Sequence, residues 1–162
     1  MVEGDAENIL VPVIAEILGY PLEKYGVSIV NVGSTAFLRY SRIMMRSDGT
    51  TVPIPVSIIT DCDVKPYEKD NKEMAFPDKS EEYAEAIKKK MERYDIGTIK
   101  SYVSPKWTLE YCLALSCLED EFHKAIHYGK KIKNSNKYSL TNNKIQEADE
   151  LEEKYKKKID LF

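Results

Sequence analysis

The sequence predicts an α/β fold with a mostly parallel sheet flanked by helices, and three observations carry that prediction. Short β-branched runs stand at residues 27–32 (VSIVNV), 56–59 and 98–103, stretches of helical apolar period lie between them, and the two kinds of segment alternate along the chain. At 162 residues with 43% hydrophobic content, the chain can bury one ordinary core, and its composition argues against wholesale disorder.

Charge and cysteine usage narrow the classes further. A formal charge of −3 gives no global argument for a polyanion binder, so any nucleic-acid contact must come from local patches. Three cysteines without framework spacing fit a reducing compartment, and MVEGDAENIL puts acids where a secretory signal needs base. No run approaches the roughly 20 apolar residues of a membrane span. A soluble cytoplasmic protein with no membrane partner is the expectation.

The elements follow in order. Ala6, Ile9, Leu10, Val13, Ile14 and Ile17 keep a helical period up to Gly19, so a helix starts almost at once and the strand that should precede it is nearly missing. Residues 27–32, bounded by Gly26 and Gly33, read as a strand buried on both faces, followed by a helix-compatible stretch over 34–45. Pro53 and Pro55 introduce the next strand, which ends in Thr60-Asp61-Cys62-Asp63. Residues 64–79 read as a polar surface loop with Pro66 and Pro77. Ser80 then suits an N-cap, with Glu81 and Glu82 in the first turn and Tyr83, Ile87, Met91 and Tyr94 on one face. After the strand at 98–103, Ser104-Pro105-Lys106-Trp107 leads into one apolar helix over 108–128. The rest, 129–162, is polar with a rough helical spacing at Ile145, Ala148, Leu151, Tyr155 and Ile159. Glu150/Lys154, Glu152/Lys156 and Glu153/Lys157 are favourable i,i+4 pairs there, and a solvated helical extension is expected.

In a parallel α/β sheet, ligand sites gather beyond the carboxyl ends of the strands, and the acids stand there. Glu3 and Glu7, four apart, can converge on the first helical turn, and Asp61 and Asp63 leave the sheet in one direction if the backbone stays extended. Each pair alone is equally well a solvated helix start or a turn. Together they form a set of like charges that a hard divalent cation would neutralise, and Mg²⁺ commonly joins a few carboxylates to phosphates.

At this point the residues resemble a known family. VEGDAENILVPVIAEILG, YGVSIVNVGSTAFLRY, VSIITDCD and SPKWTLEY together are similar to the Toprim domain of the overcoming-lysogenisation-defect (OLD) family of ATP-dependent endonucleases. The resemblance spans residues 1–128, which it makes a Toprim nuclease domain, with 129–162 as a C-terminal extension. It implies a Rossmann-like Toprim fold whose first strand is truncated here, and two-metal hydrolysis of DNA phosphodiesters with Mg²⁺ or Mn²⁺. It makes Glu3, Glu7, Asp61, Asp63 and Glu110 metal ligands and Lys106 the charge at the scissile phosphate, with Lys106, Glu3 and Asp61 as catalytic residues. It further implies an N-terminal ATPase domain in a full-length protein and a homodimer formed through that domain.

The chain also departs from the family pattern. It has no G-x-x-x-x-G-K-[ST] loop, so no ATP site is expected within it, and Cys112 stands where the family places an acid. Part of a longer gene product is therefore the expectation. A catalytically silent binding or assembly module on the same fold is the alternative, and a Toprim primase or topoisomerase activity is a third reading.

Weaker signals remain. Arg39, Arg42 and Arg46 share a helical face, and Lys124, Lys130, Lys131, Lys133 and Lys137 form an acid-free stretch. Of these, Arg39, Arg42, Lys130 and Lys131 are the candidate phosphate contacts, although a solvated basic face explains each cluster as well. His123 and His127 have metal-compatible spacing but lack the glutamate of H-E-x-x-H. Cys62, Cys112 and Cys117 form no C-x-x-C pair and read as packing residues.

Overall fold

The computed structural model describes residues 1–70, 73–133 and 142–159, and the chain divides into two compact units, Met1–Leu109 and Glu110–Phe162. In the first unit, α1 (Asp5–Ile17) opens the chain after the single sheet residue Val2. A 3₁₀ turn (Leu22–Tyr25) and a short helix α2 (Phe37–Ser41) precede β1 (Val56–Thr60). There follow β2 (Glu68–Asp70), β3 (Glu73–Ala75), α3 (Ser80–Tyr94) and β4 (Ile99–Val103). The helix α4 (Leu109–Ala114) begins at the boundary, and α5 (Glu119–Lys133) and α6 (Asn142–Ile159) belong to the second unit.

The sheet is parallel, as the alternation of segments predicts. β1 pairs with β4 in parallel register from Val56 opposite Ile99 to Thr60 opposite Val103. On the other side of β1, Val2 forms a parallel bridge to Ile59 and a second one to Asn31. A single residue, Val2, is thus held where a strand would run between β1 and the 27–32 segment. The core lies on one face of this sheet, where Phe37, Ile58, Tyr94 and Ile99 are buried together and Val32, Leu38, Met44 and Val56 pack around them. Phe37 and Tyr94 meet edge to face with ring centroids 5.6 Å apart, the geometry that the aromatic quadrupoles favour.

Five local expectations are corrected. Residues 27–32 do not form a strand buried on both faces: Val27 and Val30 are 51% and 47% exposed, and the pairing is the single bridge at Asn31. A strand needs a ladder, and here the adjacent backbone offers one rung, with Val2 N–H bonded to the Val30 carbonyl and Val32 N–H to that of Val2, both at 2.9 Å. The helix expected over 34–45 is only α2 followed by a 3₁₀ turn (Arg42–Met44), so Arg46 lies beyond the helical face assigned to it and stands 4.0 Å from Asp48. The polar loop over 64–79 contains the antiparallel hairpin β2–β3, flanked by Tyr67 and Phe76, whose rings lie 6.3 Å apart edge to face. Ser80 is the first helical residue of α3 and not its N-cap; Asp78 Oδ1 accepts its N–H at 3.0 Å and its hydroxyl at 2.6 Å.

The fifth correction concerns the helix over 108–128, which is broken into α4 and α5. At the break the Ser116 hydroxyl donates to the Leu113 carbonyl at 2.7 Å and accepts from Leu118 N–H at 3.2 Å. Such local bonds give the backbone an alternative to the helical ladder, which is why serine interrupts an otherwise apolar run. In the second unit, α6 packs on α5: Ala148 is buried, and Asp149 accepts from both Tyr128 Oη and Lys124 Nζ at 2.9 Å. The expected helical extension is present in α6, while its charge pairs Glu150/Lys154, Glu152/Lys156 and Glu153/Lys157 depend on side chains outside the described residues, as do the basic residues Lys133 and Lys137.

Candidate functional site

The carboxyl ends of β1 and β4 and the segment before α1 meet at one place. Glu3 turns toward the end of β1, where its Oε1 accepts the Thr60 hydroxyl and, at 3.1 Å, the backbone N–H of Asp61. Glu3 and Asp61 are 58 positions apart in sequence, so the sheet alone brings them together. Ser104, just past β4, ties the two strand ends: its N–H donates to the Thr60 carbonyl at 2.9 Å, and its hydroxyl accepts from Cys62 N–H and donates to the Lys106 carbonyl, both at 2.9 Å. Asp61 Oδ1 accepts the backbone N–H of Leu109 at 2.8 Å, which anchors the start of α4 to the acid.

The two aspartates do not leave the sheet together. Asp63 takes a left-handed backbone, with φ +67°, so the chain is not extended there and its side chain serves a different neighbour. Its Oδ2 lies 2.5 Å from Lys90 Nζ, and the same ammonium donates to the Asp61 carbonyl at 2.5 Å. Asp63 N–H donates to the Trp107 carbonyl at 2.9 Å, and the Trp107 ring meets Tyr67 edge to face at 5.7 Å. The Lys106-Trp107 segment is thereby held beside Asp63 with the Lys106 side chain exposed.

The remaining predicted residues are placed as follows. Glu7 is buried on α1, and its Oε2 reaches back to the Gly4 N–H at 3.1 Å, satisfying a donor at the helix start. Glu110 is exposed at the beginning of the second unit. Arg39 and Arg42 are exposed on α2 and the turn after it. Lys130 is exposed on α5, and Lys131 pairs with Glu147 of α6 at 2.5 Å. Among the described residues, no group of three or more His, Cys, Asp or Glu side chains converges in a way that could hold a metal ion. His123 and His127 bring their Nε2 atoms to 3.3 Å, which is hydrogen-bond distance, and two nitrogens fall short of the three or four protein ligands of a zinc site.

Sequence reasoning missed Lys90, Thr60 and Ser104. A signal for Lys90 existed: in the run Lys88-Lys89-Lys90 it alone falls between Ile87 and Tyr94 on the apolar stripe of α3, so a charge there must meet a partner in the fold. Thr60 and Ser104 carry no such mark, because a hydroxyl at a strand end is indistinguishable from a turn residue until its neighbour is known.

Comparison with known proteins bears on the first part of the chain. Residues 1–63 match the family model described as overcoming lysogenization defect protein-like, TOPRIM domain. No curated protein and no solved structure gives a significant match. The matched residues include Glu3, Glu7, Asp61 and Asp63, and the parallel sheet flanked by helices is consistent with a Toprim fold. A Toprim domain is a metal-binding, nucleic-acid-processing domain. Among the described residues no helix is long and apolar enough to cross a membrane.

Proposed function

With residues 1–63 carrying OLD-like Toprim sequence, we propose that the protein is the Toprim nuclease domain of an OLD-family endonuclease and hydrolyses DNA phosphodiesters with Mg²⁺ or Mn²⁺. The observation that carries this reading is the meeting of Glu3 and Asp61 at the carboxyl end of β1, bonded at 3.1 Å across the sheet. Both offer carboxylate oxygens, the donors that a hard divalent cation takes, and among the described residues no bond reaches Glu3 Oε2. Mg²⁺ keeps several waters and needs only one or two carboxylates beside substrate phosphates, so two carboxylates from this strand end would suffice for one such ion without a closed cage.

Glu3 and Asp61 would hold that ion, with Glu7 and Asp63 as the further ligands of a two-ion site in the first unit; Glu110 is a ligand by the family resemblance alone. Held by these residues, such ions would supply activation of a water and charge neutralisation at the leaving oxygen. The chain's own residues supply the rest. Lys106, exposed and held by the backbone contacts of Ser104 and Trp107, brings positive charge to the scissile phosphate, where negative charge builds in the transition state. Arg39, Arg42, Lys130 and Lys131 add phosphate contacts that fix the register of the DNA. An ATPase domain in the full-length protein, dimerisation through it, and a cytoplasmic setting belong to the same reading.

Nicking of supercoiled plasmid by the whole chain in Mn²⁺ tests it. Activity should vanish in Asp61→Asn and fall severely in Lys106→Ala, and wild-type nicking by both variants would overturn it. One observation favours a second reading, a silent binding module: the Glu7 carboxylate is turned to Gly4 N–H and that of Asp63 to Lys90. Calorimetry with Mn²⁺ separates the two, since at most one weak site without cleavage marks the silent module.

A further inference from the structure

The ammonium of Lys90 stands at the acidic strand end and comes from neither of the segments that supply the acids. It extends from the C-terminal half of α3 to two oxygens at once, Asp63 Oδ2 and the Asp61 carbonyl, each at 2.5 Å. Its side chain is 19% exposed, whereas its neighbours Lys88 and Lys89 are 75% and 70% exposed and pair with Glu92 and Glu85 along the surface of the same helix. Lys90 is therefore packed into the fold as part of the acid cluster. Carboxylates gathered at a strand end repel one another, and a cation relieves that repulsion whether it is bound from solution or built into the chain.

From this we propose that Lys90 is the internal counter-ion of the acidic strand end and competes with a divalent cation for Asp63. This rests on the metal-site reading above. An ammonium has three donors and no acceptor, so it can occupy an oxygen but cannot share that oxygen's metal-facing lone pair with an ion. A divalent cation at Asp63 meets a unit positive charge a few ångströms away unless the lysine swings out. The left-handed turn at Asp63, φ +67°, aims its carboxylate at α3, so the backbone itself presents Asp63 to Lys90. Lys90 thus sets how tightly the site takes metal and offsets the charge of Asp63 without it.

Mn²⁺ titration of the whole chain by calorimetry tests this, with Lys90→Gln, Lys90→Arg and the double variant Lys90→Gln/Asp63→Asn. Lys90→Gln should bind Mn²⁺ more tightly by on the order of tenfold, the size of effect that one unit charge a few ångströms from a divalent ion has at the dielectric constant of water. Lys90→Arg should stay near wild type, and the double variant should lose the gain. Equal or weaker Mn²⁺ binding by folded Lys90→Gln overturns the proposal.

A second measurement uses the wild-type protein alone. Brief acetylation read by mass spectrometry should modify Lys90 several-fold more when Mn²⁺ is present, with Lys88 and Lys89 unchanged. Unchanged Lys90 labelling at a Mn²⁺ concentration where calorimetry records binding also overturns it. If neither wild type nor Lys90→Gln takes up Mn²⁺, the metal-site reading fails and the competition fails with it; if wild type binds and only the Lys90 comparisons fail, the metal-site reading stands.

Discussion

Glu3 Oε1 accepts the backbone N–H of Asp61 at 3.1 Å, and this one bond joins the segment ahead of α1 to the carboxyl end of β1. The same oxygen takes the Thr60 hydroxyl. A side chain proposed for chemistry is thus also part of what closes the strand end, and its two roles separate by substitution. Glu3→Ala leaves two part-buried donors unanswered and should cost about 1–3 kcal/mol in urea unfolding. Glu3→Gln keeps an acceptor oxygen and should cost less, while losing the charge that a metal needs. A Glu3→Gln protein as unstable as Glu3→Ala would contradict this account.

The nuclease reading makes a graded prediction for rates. Asp61→Asn should abolish metal-dependent nicking, and Lys106→Ala should reduce it about 10²-fold or more, the range seen when one preorganised charge or donor is removed from a transition state. Measured at saturating Mn²⁺, the Lys106→Ala deficit should persist, because it is not one of metal occupancy.

Gly97 tests the packing between the turn before β4 and the Thr51 segment. Its φ of +56° suits glycine, and a Cβ there would come within 2.5 Å of Thr51 Oγ1. The Thr51 hydroxyl also accepts Thr98 N–H at 3.2 Å, so it is not free to move aside. Gly97→Ala should destabilise the first unit by about 1–3 kcal/mol, read from the shift in denaturation midpoint at unchanged slope.

Asp95 predicts a pH dependence. Burial pushes its carboxyl up, but the Ser101 hydroxyl and N–H, at 2.6 and 2.7 Å, together with Lys100 outweigh burial and hold it below the ordinary carboxylate range. A carboxyl depressed in the folded state stabilises above its unfolded pKa, and that contribution is lost as pH falls through the folded value. Asp95→Asn should therefore be less stable than wild type at pH 7 by about 1 kcal/mol, allowing for solvent screening. The gap should narrow on acidification below pH 4. A gap that widens in acid would contradict the assignment.

How much of this was legible in sequence depends on the range of the interaction. β1, α3 and β4 stand where their local patterns put them, because β-branched runs and a helical apolar stripe state their own conformation. The 27–32 segment has the same β-branched composition and is no strand, since composition cannot report that the neighbouring backbone offers one rung. Ser116 breaks the helix over 108–128 by a bond of the same kind that elsewhere leaves helices intact.

The sequence by itself determined the alternation of strand and helix, the parallel class of the sheet, and the position of Asp61 and Asp63 at a strand end. Only the tertiary structure decided which acids meet. It brought Glu3 to Asp61 and turned Asp63 to Lys90, while Glu7 caps its own helix. Periodicity fixes the face of an element on which a residue lies. A carboxylate's partner is set by the electrostatics of whatever donor the folded chain delivers, and for Glu3 and Asp63 that donor lies 58 and 27 residues away.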